Sequence, residues 1–370
     1  MLKRSKSKVT LKNSVSSPDW FLVSLVLGLT IFGIIMVGSA SVVEAFRDFG
    51  NKLHYLRLQA IWAAFGFLAF CFLSFFDYHH LKKFAFPLMV FSFICLILVL
   101  IPGIGTKIMG ARRWLPLGFF GFQPAELTKL TFILYLALFF SNRRKFWSFL
   151  FLLGILLFLI MLEPDLGTAV ILSATALVVY FVSGAPLLLL AGIGLAGVLG
   201  GAGLIFSSSY RRERLMTFLN PSQDPLGASY HIRQILIAIG SGGLFGVGLG
   251  QSRQKYEYLP EVTTDSIFAV IAEELGFIGS LALVIIFLML VWRGMKIAKE
   301  APDEFGKLLA VGITSWIGFQ ALVNLSAMVA IVPLTGVPLP FISYGGSSLV
   351  LCLAGMGILA NIARQKVIKR

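Results

Sequence analysis

Residues 20–37 read WFLVSLVLGLTIFGIIMV, an apolar run of 18 residues that contains no charged side chain. An α-helix needs about 20 such residues to cross the hydrocarbon core of a bilayer. The Gly38-Ser39-Ala40 triplet that follows resembles a signal-peptidase site. The run is nevertheless longer than the apolar core of a typical signal peptide, so we interpret it as a retained first span.

The composition of the whole chain agrees with this interpretation. Of its 370 residues, 58% are hydrophobic and only 13% are charged, and the mean hydropathy is +0.89. A soluble domain has about 25% charged residues, so most of the outer surface must face lipid. Further apolar runs lie near 57–76, 84–102, 123–141, 146–162, 166–183, 186–206, 266–292, 307–332 and 346–363. The sequence therefore predicts an all-α, polytopic integral membrane protein with about ten spans. Some breaks between runs are short, which leaves a count of nine open.

Positive residues in the loops predict the orientation of the chain. If the N-terminus is cytoplasmic, the inner segments carry 18 Lys and Arg residues and the short outer loops carry 6. Cytoplasmic loops are enriched in these residues, so we predict that both termini are cytoplasmic. The chain then divides into a basic tail (1–18), a single transmembrane domain (19–366) and a second tail (367–370).

The charge and the cysteines exclude several other classes of protein. The formal net charge is +14, but the positive residues lie in short loops and form no basic face with interleaved aromatic residues. Membrane topology explains them, and we expect no nucleic-acid partner. Cys71, Cys95 and Cys352 lie inside apolar runs without CxxC spacing, so no metal site or disulfide is predicted. The absence of a Walker motif argues against ATP-driven transport by this chain alone.

The unusual segments all fall on the predicted outer face, at 103–122, 163–165, 207–265 and 333–348. Residues 207–265, between spans 7 and 8, are too many for a simple connector. The apolar part of this loop, 232–249, is rich in glycine, which disfavours a free-standing span. We predict a re-entrant or interfacial segment that packs on the bundle; a flexible surface loop is the alternative.

Asp265 stands where this loop meets the next apolar run. Either Thr264 or Asp265 could cap the N-terminus of the helix that follows. A carboxylate at a membrane interface could also act as a general base, because partial burial raises its pKa toward a useful value. The two roles are compatible.

Other charged residues are candidates for binding or for ion pairs. Glu126 and Lys129 are three residues apart at a helix end, which predicts an ion pair, either structural or functional. Arg112 and Arg113 either anchor the chain at the interface or bind phosphate, whose oxygens match the guanidinium fork. Glu274 falls about two turns into an apolar helix, and charges at such depth are usually paired or functional.

Five segments of the predicted outer face together resemble the SEDS family (shape, elongation, division and sporulation). They are GARRW (110–114) leading to QPAELTKL (123–130), EPDLGT (163–168), residues 212–221, YLPE (258–261) through Asp265 to FAVIAEELG (268–276), and PLTGVPLPFISYGGSS (333–348). They occur in the family's order and cover nearly the whole chain. Within the family, GVGLG (246–250) followed by SRQKY (252–256) resembles the cell-division branch more than the elongation branch.

The resemblance implies a bacterial peptidoglycan glycosyltransferase that polymerises lipid II outside the cytoplasmic membrane, at the division septum. It also implies a class B penicillin-binding protein as partner, with other division proteins and membrane lipids. The family's catalytic aspartate falls on Asp265. Three positions depart from the common motif: Thr263 stands where His is common, Ser266 where Phe is common, and Glu163 where Gln is usual. The candidate substrate-binding residues are Arg112, Arg113, Glu126, Lys129, Arg212, Lys255, Glu261, Glu274, Ser343 and Ser347.

Polymerisation of lipid II needs a base for the acceptor hydroxyl and cations for the departing diphosphate. We assign the base to Asp265 and the cations to Arg112, Arg113, Lys129 or arginines of the long loop. Residues 333–348 are predicted to shape a groove for the polyprenyl chain. No ligand cluster identifies a divalent cation such as Mg or Mn, and the need for one stays open. A lipid II flippase and a non-catalytic division scaffold are the rival functions, although outward placement of the unusual motifs argues against a flippase.

Overall fold

The computed structural model describes residues 17–108, 111–118, 120–142, 146–207, 209–219, 229–256 and 259–365. Most of the two predicted tails, and part of the long loop, lie outside these residues. The helices of the described chain are α1 (Trp20–Ala40), α2 (Val42–Phe49), α3 (His54–Phe75), a 3-10 turn (Tyr78–His80), α4 (Leu81–Leu100), α5 (Pro124–Ser141), α6 (Phe146–Leu162), α7 (Leu166–Val182), α8 (Leu187–Phe206), α9 (Ser209–Leu219), α10 (Tyr230–Ser241), α11 (Ile267–Glu300), α12 (Glu304–Met328) and α13 (Gly346–Arg364).

The ten apolar runs coincide with ten of these helices. Within the described residues, 7 helices are long and apolar enough to cross a membrane, and three further apolar segments are shorter: α6, α7 and the Leu187–Gly203 part of α8. The predicted class, an all-helical polytopic membrane protein, is confirmed. The count of ten spans stays a prediction, because α6 and α7, with 17 residues each, are below the length of about 20 residues that an untilted span needs.

Helices α5, α12 and α13 form the centre of the bundle. Their most apolar windows are 72%, 72% and 78% buried, whereas that of α11 is 22% buried. Close packing of α13 on α3 depends on small residues. Gly66 of α3 lies against Val350 and Leu353, and Gly357 of α13 lies against the backbone of Phe70, so a larger side chain at either glycine would clash. Small residues allow membrane helices to approach closely where lipid supplies no hydrophobic drive.

A small antiparallel sheet, which the sequence did not predict, precedes α5. Its strands are β1 (Thr106–Ile108), β2 (Ala111–Leu117) and β3 (Phe120–Phe122), with β2 in the middle. Leu115 of β2 packs against Cys95 and Val99 near the end of α4, which fixes the sheet to the bundle. We call this end of the bundle the sheet end.

Polar contacts tie the helices together at the opposite end of the bundle. Arg293 of α11 pairs with Asp19 before α1 at 2.5 Å, and the hydroxyl of Tyr78 donates to Asp303 at 2.5 Å. The backbone amide of Tyr78 also donates to the side chain of Asn361 in α13 (3.0 Å). Both ends of the described chain therefore lie away from the sheet end, in agreement with an even number of spans.

Helix α11 is broken at Gly276, whose backbone has φ 68° and ψ −165°. The break leaves backbone amides and carbonyls without partners inside the helix, and residues 243–248 form hydrogen bonds with them. The amide of Gly248 donates to the carbonyl of Glu274 (3.1 Å), and the amide of Phe277 donates to the carbonyl of Gly243 (2.9 Å). The glycine-rich segment thus packs on the bundle, as predicted, which argues against a flexible surface loop.

Candidate active site

Asp265 lies in a turn at residues 259–266, directly before α11 and at the sheet end. Its side chain is half-buried, and the hydroxyl of Thr264 donates to its Oδ1 (3.0 Å). Burial, together with the neighbouring carboxylate of Glu261, raises the pKa of Asp265 to about 6, because both disfavour the ionised form. Such a carboxylate is ionised at neutral pH yet more basic than an ordinary aspartate, which suits a general base.

The turn has an unusual backbone at Glu261, where φ is 51°, a region that non-glycine residues seldom adopt. The carbonyl of Glu261 accepts from the amides of Thr264 (3.2 Å) and Ser266 (3.1 Å). Its carboxylate accepts from the hydroxyl of Thr264 (2.7 Å). The Thr264 hydroxyl therefore lies between two carboxylates and can donate its one hydrogen to only one of them at a time.

Two side chains from neighbouring segments hold the backbone of this turn. Asn324 of α12 donates from Nδ2 to the carbonyl of Asp265 (2.8 Å), and the hydroxyl of Ser343 donates to the carbonyl of Thr264 (2.5 Å). The structure thus places Ser343, a predicted site residue, against the backbone of the residue that precedes Asp265. Asn324 was missed by the sequence analysis, although an amide inside an apolar span is a recognisable signal.

Glu126 and Lys129 form the predicted ion pair, and it is deeply buried. Lys129 Nζ lies 2.7 Å from Glu126 Oε1 and donates to Gln320 Oε1 at 2.8 Å, and Lys129 and Glu126 are 1% and 2% exposed. The indole nitrogen of Trp316 donates to the same Gln320 oxygen (2.9 Å). Glu126 and Gln320 thus supply the hydrogen-bond partners of the buried Lys129 ammonium group. An unpaired charge at this depth would strongly destabilise the fold.

Helix α12 connects this pair to the Asp265 turn. Gln320 and Asn324 are one helical turn apart, and each amide donates to the segment after α12. Gln320 Nε2 reaches the carbonyl of Pro338 (3.0 Å), and Asn324 Nδ2 reaches the carbonyl of Val337 (2.8 Å). The ion pair, residues 337–338 and the Asp265 turn therefore form one hydrogen-bonded array.

The capping interpretation of Thr264 and Asp265 is wrong. The residue at the N-cap of α11 is Ser266, and it makes no side-chain capping bond. Its hydroxyl instead lies 2.7 Å from Nε2 of His231 in α10. The carboxylate of Asp265 is consequently not committed to the helix end.

The neighbouring arginines of β2, Arg112 and Arg113, differ in their contacts. Arg113 donates from Nε to the carbonyl of Glu163 (2.8 Å) and from Nη2 to the carbonyl of Pro164 (2.5 Å). It therefore ties the sheet to the turn between α6 and α7. Arg112 is half-buried and points to the opposite face of the strand, because side chains alternate along it. The geometry makes Arg112 the better anion-binding candidate.

Glu163 is fully buried, and neither of its carboxylate oxygens has a hydrogen-bond partner among the described residues. Burial, with the nearby Asp165, raises the pKa of Glu163 to about 9. Glu163 is therefore a neutral acid at pH 7. A protonated carboxyl resembles a carboxamide in shape and charge, which explains how Glu can stand where Gln is usual.

Lys255 and Glu274 lie together in a second buried cluster. Their side chains are 5% and 0% exposed and pair at 3.2 Å, and Ser39 at the end of α1 donates to Glu274 (2.9 Å). The adjacent Glu273 accepts from the amide of Arg253 (3.0 Å). These contacts hold residues 250–255 to the broken helix, so the geometry favours a structural role over direct substrate contact.

The remaining predicted residues lie around the same end of the bundle. Arg212 is exposed on α9, but Arg214 is the arginine whose Nη1 donates to Leu334 (3.1 Å) and whose charge lowers the pKa of Asp265. Ser347, at the start of α13, accepts from the amide of Gln123 at 3.4 Å. The sequence of residues 210–214, with its three arginines, did not distinguish which arginine contacts the segment after α12.

Thr263 is buried and held by its backbone and its side chain. Its carbonyl accepts from the amide of Tyr344 (2.8 Å), and its side chain is hydrogen-bonded to Glu44 of α2. The residue that departs from the common motif thus joins the turn to α2. In the part of the chain that the structure describes, no group of three or more His, Cys, Asp or Glu residues could hold a metal ion.

The apolar helices long enough to cross a membrane, with a half-buried carboxylate turn at one end of their bundle, define a helical membrane protein with a polar site at that end. Residues 19–368 match the FtsW/RodA/SpoVE family of cell cycle proteins. The chain belongs to this family, which is the SEDS family.

Individual relatives cover nearly the whole chain. It is 44% identical to stage V sporulation protein E of Bacillus subtilis, over 94% of this chain and 98% of the relative. It is 39% identical to a probable peptidoglycan glycosyltransferase FtsW of Geobacter, over 94% and 97% of the two chains. Among solved structures, it is similar to a chain of a peptidoglycan synthase complex (TM-score 0.78, 33% identity, 94% and 98% coverage). It is also similar to the rod shape determining protein RodA of Thermus thermophilus (TM-score 0.71, 31% identity, 95% and 99% coverage).

Proposed function

We propose that this protein polymerises lipid II into glycan strands at the outer face of the cytoplasmic membrane, with Asp265 as the general base. The observation that carries the proposal is the turn at 259–266. It holds a carboxylate whose pKa is raised to about 6, beside a second carboxylate, at one end of a membrane bundle. The names of the FtsW relatives, probable peptidoglycan glycosyltransferases, support the same reaction.

In this reaction the acceptor hydroxyl oxygen bonds to the anomeric carbon of the donor sugar. The bond from that carbon to the diphosphate oxygen breaks, and the electron pair leaves with the diphosphate. Asp265 takes the hydroxyl proton as the new bond forms. Cations stabilise the departing negative charge, and guanidinium groups suit phosphate oxygens. Arg112, which is half-buried, and Arg212 and Arg214, which are exposed on α9, are candidates at the sheet end that solvent or substrate can reach.

The sheet end is proposed to face outward, with both termini in the cytoplasm. The 18-to-6 distribution of positive residues supports this orientation. The test is labelling of single cysteines introduced at Glu213 and Asn142, both exposed, in a variant from which the native cysteines have been removed. An impermeant thiol reagent added to intact cells should label position 213 and not position 142. The reverse pattern would contradict the orientation.

A transpeptidase partner of the class B penicillin-binding protein type is part of the proposal. Similarity to a chain of a peptidoglycan synthase complex, which coordinates polymerisation and crosslinking, supports it. The identity of 39% to an FtsW exceeds the 31% to RodA, and with the resemblance of residues 246–256 to the cell-division branch it favours septal synthesis over side-wall elongation. A fluorescent fusion should accumulate at septa, and an even distribution along the side wall would contradict this assignment.

The direct test uses the purified protein in detergent or vesicles with lipid II, alone and with its transpeptidase. The proposal predicts a ladder of glycan strands on a gel, and digestion of that ladder by a muramidase. A flippase would instead move lipid II from one leaflet of the vesicle membrane to the other without forming glycan strands. A scaffold would do neither, so strand formation separates the three candidate functions.

A further inference from the structure

His231 contacts both ends of the turn that carries Asp265. The ring lies in the first turn of α10, with Nε2 2.7 Å from the hydroxyl oxygen of Ser266. The ring is also hydrogen-bonded to the backbone of Pro260. Proline has no amide hydrogen, so that partner must be the carbonyl oxygen. Pro260 and Ser266 are the residues immediately outside the segment from Glu261 to Asp265.

These two contacts determine the state of the imidazole. Burial, with the neighbouring charge of Arg214, lowers the pKa of His231 to about 4, so the ring is neutral at pH 7. A carbonyl only accepts, so the ring nitrogen that faces Pro260 carries the hydrogen. The other nitrogen of a neutral imidazole is then an acceptor, and the hydroxyl of Ser266 must donate to it.

The element that carries His231 is itself fixed. Ile232, Ile235 and Ala238 of α10 are buried, and the segment that follows α10 is hydrogen-bonded to the broken part of α11. The ring is thus attached to a supported helix. Ser343 holds the carbonyl of residue 264 and Asn324 that of residue 265, and His231 holds Pro260 and Ser266, which flank residues 261–265.

We propose that His231 is a positioning residue for Asp265, acting through Ser266 and Pro260 without touching the substrate. The proposal rests on the proposed role of Asp265 as the base. A misplacement of about 1 Å in a reacting group can cost about 100-fold in rate. Loss of the bridge should therefore lower kcat by about 10-fold or more, with little change in KM for lipid II.

The test compares His231→Phe, which keeps a ring but neither bond, with His231→Gln, whose amide can still donate to one partner and accept from the other. Polymerisation of lipid II is measured with thermal stability as a control. His231→Phe should lose kcat, His231→Gln should recover most of it, and Ser266→Ala should lose part. The double variant His231→Phe/Ser266→Ala should be no worse than His231→Phe alone, because one bond cannot be lost twice.

A purely structural role predicts a different result. The kcat loss would then follow the loss of folded protein, and the losses of the two single variants would add. Either result, or near-parental kcat in folded His231→Phe, would overturn the inference. Asp265→Asn is measured beside these variants. If the parent forms no strands, or if Asp265→Asn forms them at the parental rate, it is the proposed function or base that fails.

A spectroscopic measurement tests the bridge independently of activity. The chain has 4 histidines, so NMR of protein labelled with ¹⁵N-histidine, with His231→Gln for assignment, can resolve this ring. The charged group that acts on it is Arg214 from α9, and the carboxylates of Glu261 and Asp265 belong to the segment between its two contacts, Pro260 and Ser266. We expect one neutral tautomer that does not protonate above about pH 5. A ring that exchanges between tautomers and titrates near its ordinary pKa of about 6.5 would overturn the inference.

Discussion

Replacing Asp265 with asparagine exchanges one carboxylate oxygen for an amide nitrogen and changes little else. The oxygen that accepts from Thr264 (3.0 Å) can be kept. The backbone bond from Asn324 to the carbonyl of residue 265 (2.8 Å) does not involve the side chain. Asp265 makes no capping bond, so the variant loses no cap. The substitution should therefore leave the fold intact while it removes the basic oxygen.

The effect on stability follows from the direction of the pKa shift. The pKa of Asp265 is raised from 3.8 to about 6 in the folded protein, so the folded chain binds this proton more tightly than the unfolded chain does. The associated stability is fully present below about pH 3.8 and is lost as the pH rises to about 6. At pH 7 the ionised carboxylate lowers the free energy of unfolding by up to about 3 kcal/mol. The uncharged asparagine variant should therefore be at least as stable as the parent at pH 7.

The effect on activity should be the opposite. A general base contributes about 100-fold to 10,000-fold to a rate, so Asp265→Asn should lose at least about 100-fold, or about 2.7 kcal/mol of transition-state stabilisation. In the parent, kcat/KM should rise with pH and reach half of its plateau near pH 6, where Asp265 of the free protein loses its proton. The residual activity of the variant should lack this rise.

The assay is steady-state polymerisation of lipid II from about pH 5 to about pH 8, a range that brackets the raised pKa, with the thermal midpoint measured for each sample. Glu261→Gln is the matched control, because it removes the neighbouring negative charge that helps to raise the pKa of Asp265. It should stay active at pH 7 and move the half-maximal pH below 6. Folded Asp265→Asn that makes glycan strands at close to the parental rate would refute the assignment.

Other substitutions separate binding from structure. Arg112→Ala should raise KM for lipid II by about 10-fold at unchanged stability. Arg113→Ala should instead lower the thermal midpoint, because it loses the hydrogen bonds to two backbone carbonyls. Equal effects of the two variants on KM would contradict this division of roles. Glu163→Gln should leave polymerisation unchanged and flatten the pH dependence of stability between about pH 4.5 and pH 9. The parent loses stability over this range as the pH rises through the raised pKa of Glu163. An unchanged stability profile would contradict a buried neutral acid. Gly276→Ala should cost about 1–3 kcal/mol in the free energy of unfolding, because alanine rarely adopts φ 68°; a parental thermal midpoint would contradict the strain.

Several features could be predicted from local sequence because they depend on contacts close in the chain. The Glu126–Lys129 pair needs only a helix and a spacing of three residues, and it forms at 2.7 Å. The position of Asp265 just before a helix needs only the start of an apolar run. The glycines of 240–250 exclude a stable free helix, and residues 243–248 indeed form a compact segment on α11.

Tertiary contacts decided which of the polar residues work together. His231 and Ser266 are 35 residues apart in sequence, and Asn324 reaches across 59 residues to Asp265. No periodicity reveals such pairs, since the partners lie on different helices. The same contacts show that Ser266, rather than Asp265, stands at the helix N-cap.

The sequence by itself determined that this chain is a helical membrane protein. Runs of about 20 apolar residues match the thickness of the hydrocarbon core of a bilayer, where their side chains are removed from water. The sequence also determined where the carboxylates lie along the chain. Only the tertiary structure decided which of them is the best candidate for the base. Glu274 is neutralised by Lys255 at 3.2 Å and Glu126 by Lys129 at 2.7 Å, whereas Asp265 has a second carboxylate beside it and is only partly hidden from the surface. A carboxylate's basicity depends on burial and on neighbouring charge, and both are properties of the packed bundle.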